Sequence, residues 1–198
     1  MSHRNGWVES LGFLAQFVRR PSTVGAVIPS SRWLARAMVE WGDLREADLV
    51  VELGPGTGPF TQAILDTVGD QTQFFALELN TRFAERLGER FPKANVYNDS
   101  AERILHYMQQ HNRPHVDNVL CGLPWASLPL KVQEGVMSAI SQALAPGGTF
   151  ATFAYLHALG LPNARRFRRR LDSTFSSVET SRVVWQNVPP AFVYRCRR

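Results

Sequence analysis

The sequence predicts an α/β fold, a mostly parallel seven-stranded sheet with helices on both faces. Three observations carry this reading. Short apolar runs alternate with segments of helical period, five times between residues 48 and 172. Those runs are mostly apolar rather than strictly alternating, as strands covered on both faces require. Two further strand-like runs, 178–185 and 191–197, follow with no helix between them.

The chain is organised around Val50-Val51-Glu52-Leu53-Gly54-Pro55-Gly56-Thr57-Gly58. An apolar strand ends there, three glycines follow at a spacing of two, and a helix starts at Pro59-Phe60-Thr61. Glycine is required where the backbone turns tightly or lies against a ligand with no Cβ between. A turn of this kind presents free backbone N–H groups and the positive end of a helix dipole. A nucleotide or an amino-acid carboxylate suits it. The spacing is G-x-G-x-G and not the G-x-G-x-x-G of dinucleotide binding. Read without its surroundings, the stretch is also compatible with a purely structural strand–turn–helix.

The remaining elements follow in order. Residues 7–20 place Trp7, Val8, Leu11, Leu14, Ala15 and Val18 on one helical face, with Arg19 and Arg20 at its end before Pro21. Such a helix lies in a membrane interface with its arginines on headgroups, or it packs on the protein's own core. Ser30 or Ser31 caps a second amphipathic helix carrying Trp33, Leu34, Ala37, Met38 and Trp41, which Gly42 ends. The first strand enters at Asp48, and the helix after the glycines turns Phe60, Ile64, Leu65 and Val68 to the sheet. Gln73–Leu79 is the second strand. Its late acid, Glu78, lies 24 residues after Gly54, placed to accept ribose hydroxyls. Asn80 or Thr81 caps a helix with Phe83, Ala84 and Leu87, and Asn95–Tyr97 is a short third strand. Asp99 follows it, and Ser100 caps a helix whose core face is Ile104, Leu105 and Met108. Val116–Cys121 is the fourth strand, and Gly122-Leu123-Pro124-Trp125 follows it on the edge where open α/β sheets bind ligands. A helix with Val132, Val136, Ile140 and Leu144 comes next. Ala145-Pro146-Gly147-Gly148 then turns into the fifth strand, Thr149–Tyr155. Residues 163–172 form a basic helix with five arginines around Phe167 and Leu171.

Composition narrows the classes. The 198 residues suit one domain, divided into an N-terminal helix with its connector (1–30) and a core (31–198). A net charge of +5 and a pI of about 9.8 favour an anionic partner, with nucleic acid and an acidic membrane both eligible. Cys121 and Cys196 form no metal or disulfide pattern, and no metal site is expected. No apolar run is long enough to span a bilayer, and no signal peptide is evident. A cytoplasmic location with free thiols is expected.

Glu52-Leu53-Gly54-Pro55-Gly56-Thr57-Gly58 resembles motif I of class I S-adenosylmethionine-dependent methyltransferases, whose Rossmann-like sheet also closes with a strand pair. Ribosomal RNA adenine dimethyltransferases share a similar turn. They carry an Asn or Asp after the fourth strand to accept from the base amine; here Gly122-Leu123-Pro124-Trp125 supplies none. That departure weighs against nucleic acid as partner. Arg20 through Ser31, Glu52–Gly58, Gly122–Trp125 and Asn187-Val188-Pro189-Pro190-Ala191 together resemble bacterial phospholipid N-methyltransferases. The resemblance implies S-adenosylmethionine held by Glu52, Gly54, Pro55, Gly56, Thr57, Gly58, Glu78, Asp99, Ser100 and Gly122, with S-adenosylhomocysteine as product. Asp99 sits where the class places an acid at the adenine amino group. The resemblance also implies a phospholipid substrate on an anionic membrane surface. Trp7, Leu11, Leu14, Val18, Arg19, Arg20, Ser30 and Ser31 would face that surface. The protein would be peripheral on the inner face of the cell membrane.

The implied chemistry is attack of an amine lone pair on a sulfonium methyl group. A lysine-like amine of pKa ~10.4 must first lose its proton, at a cost of roughly 4–5 kcal/mol at pH 7. Tyr155 and His157, just past the fifth strand, are the candidate groups by topology, and His157 can equally be a surface histidine. Trp125 is placed to offer an aromatic face to the cationic product, or to pack in the core. The reading is methylation of phosphatidylethanolamine and its derivatives toward phosphatidylcholine. The alternatives are an N-methyltransferase for RNA adenine or a small-molecule amine, and a non-catalytic membrane-associated module that binds S-adenosylmethionine.

Overall fold

The computed structural model describes residues 29–198, so the helix expected over 7–20 lies outside the described residues. The elements are α1 (Arg32–Val39), β1 (Leu49–Leu53), α2 (Pro59–Leu65), β2 (Gln73–Leu77), α3 (Thr81–Arg90), β3 (Asn95–Tyr97) and α4 (Ile104–Gln110). They continue as β4 (Val116–Cys121), α5 (Leu130–Ala143), β5 (Leu144–Tyr155), α6 (Pro162–Thr174), β6 (Ser177–Thr180) and β7 (Ala191–Arg197). The strands form one seven-stranded sheet in the order β3-β2-β1-β4-β5-β7-β6. Every neighbouring pair is parallel except those of β7, which runs antiparallel to both β5 and β6.

Helices cover both faces, and each face has its own core. On one side Leu34, Met38, Phe60 and Ile64 from α1 and α2 pack on Val50, Ala76, Leu120 and Val193. On the other, Ile104, Val136, Ile140, Phe167 and Leu171 from α4, α5 and α6 pack on Val51, Phe75, Val119 and Phe150. Residues of β1 divide between the two cores, which is why that strand reads as an unbroken apolar run around Glu52.

The caps settle which polar residue starts each helix. Ser31 Oγ accepts from Leu34 N–H at the start of α1, and Asn80 Oδ1 accepts from Phe83 N–H at the start of α3. Ser100 caps a single 3-10 turn, Ala101–Arg103, that leads into α4. Several boundaries differ from those expected, and β2 ends at Leu77 rather than Leu79. α1 stops at Val39, and Trp41 lies beneath the Arg197 guanidinium instead of continuing the helix. Leu144 is the first residue of β5, paired with Val116, rather than the end of the preceding helix. The expected strand over 178–185 ends at Thr180. Beyond it the Ser181 hydroxyl accepts the Val193 N–H, and pairing resumes only as a bridge between Val184 and Ala191.

Phe150 is fully buried, stacked on Phe175 at 5.5 Å between ring centroids and edge-on to Trp125 at 6.3 Å. Phe150→Ala leaves a cavity at the junction of β5 with the helices above it. It should destabilise the protein by about 3–5 kcal/mol, measured as a lowered urea midpoint at unchanged slope.

Candidate active site

The turn after β1 is built on left-handed backbone. Gly54, Gly56 and Gly58 have φ of 68°, 59° and 86°. The three positions serve different ends. A Cβ on Gly54 would meet Leu123 Cδ2 at 2.6 Å, so the loop after β4 lies directly on the turn. A Cβ on Gly58 would meet Leu87 at 2.7 Å and Phe91 at 2.9 Å, so this residue seats α2 against α3. Gly56 has nothing within 4 Å of its Cβ direction. Space for a ligand therefore opens at Gly56. Pro55 is buried, and its carbonyl accepts from Gly58 N–H at 3.0 Å. Thr57 is exposed, with its carbonyl held by Arg90 at 3.2 Å.

Two buried acids flank the turn. Glu52 Oε2 accepts the Thr61 hydroxyl at 2.7 Å, while Oε1 has no partner. Burial pushes the Glu52 carboxyl up from about 4.5 to about 8, against the lowering effect of the Thr61 bond and with a smaller push from Glu78. Glu78, just past β2, accepts from Gly56 N–H through Oε2 at 2.9 Å and from Asn80 N–H through Oε1 at 2.8 Å. Burial raises its pKa too, opposed by those backbone bonds. Each Glu78 oxygen retains a lone pair for a further donor. Asp99, past β3, accepts from Ser100 N–H at 2.7 Å and from the Tyr107 hydroxyl at 3.0 Å. Ser100 is buried behind it. The ends of β1, β2 and β3 thus bring the glycines, Glu52, Glu78 and Asp99 to one edge of the sheet.

The end of β4 closes the other side of the turn. Gly122 N–H donates to Leu53 O, and a Cβ on Gly122 would meet Gly54 O at 2.5 Å. Gly122 thus lets the two strand ends approach. Trp125 is a correction to the expectation of an available aromatic face. Its ring is buried and stacked on Phe167 at 4.5 Å, and its indole N–H donates to the Thr152 hydroxyl at 2.9 Å. The structure commits it to the core. Tyr155 ends β5 at the same carboxyl edge, half-buried, with burial raising its pKa. It joins Phe60 of α2 through Phe153 and stacks on the exposed His157 at 5.6 Å. Ser31 reaches this edge as well, its N–H donating to Asn187 Oδ1 at 2.9 Å, with Ser30 beside it. Trp7, Leu11, Leu14, Val18, Arg19 and Arg20 lie outside the described residues. No cluster of metal-ligating side chains occurs among the described residues.

No protein-family model matches the chain. An ornithine lipid N-methyltransferase from Singulisphaera acidiphila is 35% identical over 188 residues, which are 93% of this chain and 94% of that one. The chain belongs to the bacterial lipid N-methyltransferase family. Dimethyladenosine transferases of Candida glabrata and Saccharomyces cerevisiae are 26% identical over 83% of the chain, which spans about half their length (48%). Among solved structures, a Bacillus cereus O-methyltransferase in complex with S-adenosylhomocysteine matches with a TM-score of 0.65 at 12% identity, covering 100% of this chain and 93% of that one. The N-methyltransferase NodS from Bradyrhizobium japonicum matches with a TM-score of 0.62 at 12% identity, covering 84% and 92%. These structural likenesses show the class I methyltransferase fold, and membership of the lipid N-methyltransferase family gives S-adenosylmethionine as the cofactor.

The residues of this lipid N-methyltransferase fit that cofactor. Open space lies over Gly56, and the buried Glu78 carboxylate stands beside it with lone pairs to accept hydroxyl donors. Three supporting residues escaped the sequence reading. Thr61 holds Glu52 across the turn, Leu123 covers Gly54, and Tyr107 holds Asp99.

Gly56→Ala should leave the protein folded, at a left-handed backbone cost of about 1–2 kcal/mol, and weaken cofactor binding in calorimetric titration. Gly54→Ala should lower the melting temperature further than Gly56→Ala, because it adds a contact with Leu123 to the same left-handed backbone cost. The raised Glu52 pKa also fixes a sign. The folded protein keeps a proton that the unfolded chain releases above about pH 4.5, so stability falls as pH rises toward about 8. Glu52 contributes at most one proton, or about 1.4 kcal/mol per pH unit. Glu52→Gln should flatten that fall in thermal melts from pH 5 to 8.

Proposed function

We propose that the protein methylates the amine of phosphatidylethanolamine and its partly methylated derivatives, toward phosphatidylcholine, at the cytoplasmic face of the membrane. The observation carrying the lipid class is the 35% identity, spanning nearly the whole chain, to an ornithine lipid N-methyltransferase. The headgroup assignment rests on the sequence blocks at Arg20–Ser31, Gly122–Trp125 and Asn187–Ala191. The same identity favours a second reading, in which the acceptor is the ornithine lipid amine. In either case the acceptor is an alkyl amine, primary before the first transfer. The Leu123-Pro124-Trp125 loop supports this, since it carries no side-chain acceptor for a planar base amine and Trp125 is buried.

One domain carries the activity, residues 1–30 facing the membrane and 31–198 forming the core. S-adenosylmethionine supplies an electrophilic methyl group on a sulfonium. Gly54, Gly56 and the backbone of Pro55, Thr57 and Gly58 shape its cradle, with Glu52 and Glu78 beside them. Asp99, held by Tyr107 and Ser100, would accept a hydrogen bond from the adenine amine. The neutral leaving group makes positioning most of the catalytic work. The half-buried Tyr155 hydroxyl, at the end of β5, orients the amine by a hydrogen bond. The exposed imidazole of His157, stacked on Tyr155, accepts the amine proton.

Labelled cofactor incubated with vesicles containing phosphatidylethanolamine should label the lipid fraction. Label confined to an added ornithine lipid carries the second reading, and label in neither overturns both. His157→Ala should lower kcat by roughly 10²-fold or more. A higher pH should recover part of that loss as the free amine becomes populated.

A further inference from the structure

The exposed apolar side chains of the core are segregated. Among the described residues the exposed large hydrophobics are Trp33, Leu130, Leu159, Leu161, Trp185 and Val188. All six lie on one half of the carboxyl edge of the sheet. Leu130 starts the helix after β4, and Leu159 and Leu161 follow the end of β5. Trp185 and Val188 belong to the loop entering β7, and Trp33 lies in the first turn of α1. Hydrogen bonds join these segments into one surface. Ser31 N–H donates to Asn187 Oδ1, Leu156 N–H to Pro190 O at 2.9 Å, and Asn163 Nδ2 to Ala126 O at 3.3 Å.

Charge is segregated in the same way. Residues 29–39, 122–133, 155–171 and 181–190 hold nine lysines and arginines and no aspartate or glutamate. Arg32, Arg165, Arg166, Arg169 and Arg182 are exposed and have no carboxylate within ion-pair distance among the described residues. The opposite edge is mixed in sign: Glu40, Asp43, Glu46 and Asp48 lie there with Arg45, and Glu40 and Asp48 stand within ion-pair distance of Arg195 and Arg113. A monomer gains nothing by exposing its large apolar side chains together amid uncompensated arginines. Tryptophans and aliphatics ringed by arginines match an anionic membrane interface, where apolar tips enter the acyl boundary and guanidinium groups reach headgroups.

We propose that this half of the carboxyl edge is a membrane-docking surface of the core itself, additional to residues 7–20, and that its partner is an anionic phospholipid bilayer. The surface surrounds Tyr155 and His157, so docking presents the acceptor side of the site to headgroups without extracting the lipid. The inference rests on the lipid-amine reading, and its test needs no methyl transfer.

In the full chain, Val188→Cys carries a polarity-sensitive fluorophore; Cys121 and Cys196 are buried and stay unlabelled. Vesicles of phosphatidylglycerol and phosphatidylethanolamine should shift its emission to the blue, and phosphatidylcholine vesicles should do so far less. High salt should reduce the shift only in part, because screening removes the arginine contribution and not the apolar insertion. Trp185→Ser combined with Leu161→Ser should lower vesicle partitioning roughly tenfold, while cofactor affinity and activity on detergent-dispersed lipid stay unchanged. A fluorophore that reports apolar surroundings before vesicles are added, and does not respond to them, means that residues 1–28 or a second copy cover the surface, and overturns the proposal. So does an unresponsive, water-exposed fluorophore on a protein that still sediments with vesicles. If the wild type neither binds vesicles nor methylates lipid, the lipid reading itself falls.

Discussion

The close approach of two strand ends governs the site. The carbonyl of Gly54 lies where any Cβ at position 122 would have to be, and Leu123 lies where any Cβ at position 54 would have to be. The turn after β1 and the loop after β4 are therefore fitted to each other with glycine backbone as the only tolerance. From that contact the rest follows. Gly56 is left facing open space, α2 starts beneath it, and Glu52 is sealed under the turn with Thr61 as its sole hydrogen-bond partner. A buried carboxyl in such a place is retained as the neutral acid, since charging it would mean leaving Oε1 unsolvated.

Backbone periodicity and turn chemistry were legible in the sequence. The apolar runs became β1 to β5, the glycine turn took left-handed backbone, and the capping serines and asparagine stood where polar residues precede helical spacing. Glu78 and Asp99 could be placed because each follows a strand of a parallel sheet, and strand ends share an edge. Contacts across that edge were not legible. Tyr107 meets Asp99 from the next helix, and Asn187 meets Ser31 across 156 residues of chain. No period links such pairs. Trp125 illustrates the same limit. Its neighbourhood is decided by Phe167 on a later helix and Thr152 on the next strand, so a residue that reads as lining the acceptor pocket is a core residue. The shortened β6 has a local cause. A serine hydroxyl competes with the backbone for a ladder donor, and the run of β-prone residues around it gives no sign of that.

The family relationship and the geometry divide the labour of the site. The edge formed by β1, β2 and β3 carries the acids, and the edge formed by β4, β5 and β7 carries apolar and cationic side chains. A cofactor with hydroxyl and amine donors suits the first, and an anionic headgroup suits the second. The glycine turn lies between them, against the loop that follows β4.

The strand order has a consequence for how the chain is made. β7 lies between β5 and β6 although it comes last in sequence, and it pairs with both along most of its length. β6 therefore emerges during synthesis with no neighbour to hydrogen-bond. α1 differs, because it already packs on α2 and on β1, β2 and β4, and residues 187–195 add the Asn187 bond to Ser31 and the Arg195 bond to the Ala37 carbonyl. The sixth strand waits for residues 191–197. Until they emerge, β5 presents an unpaired edge to whatever chaperone or neighbouring chain is near.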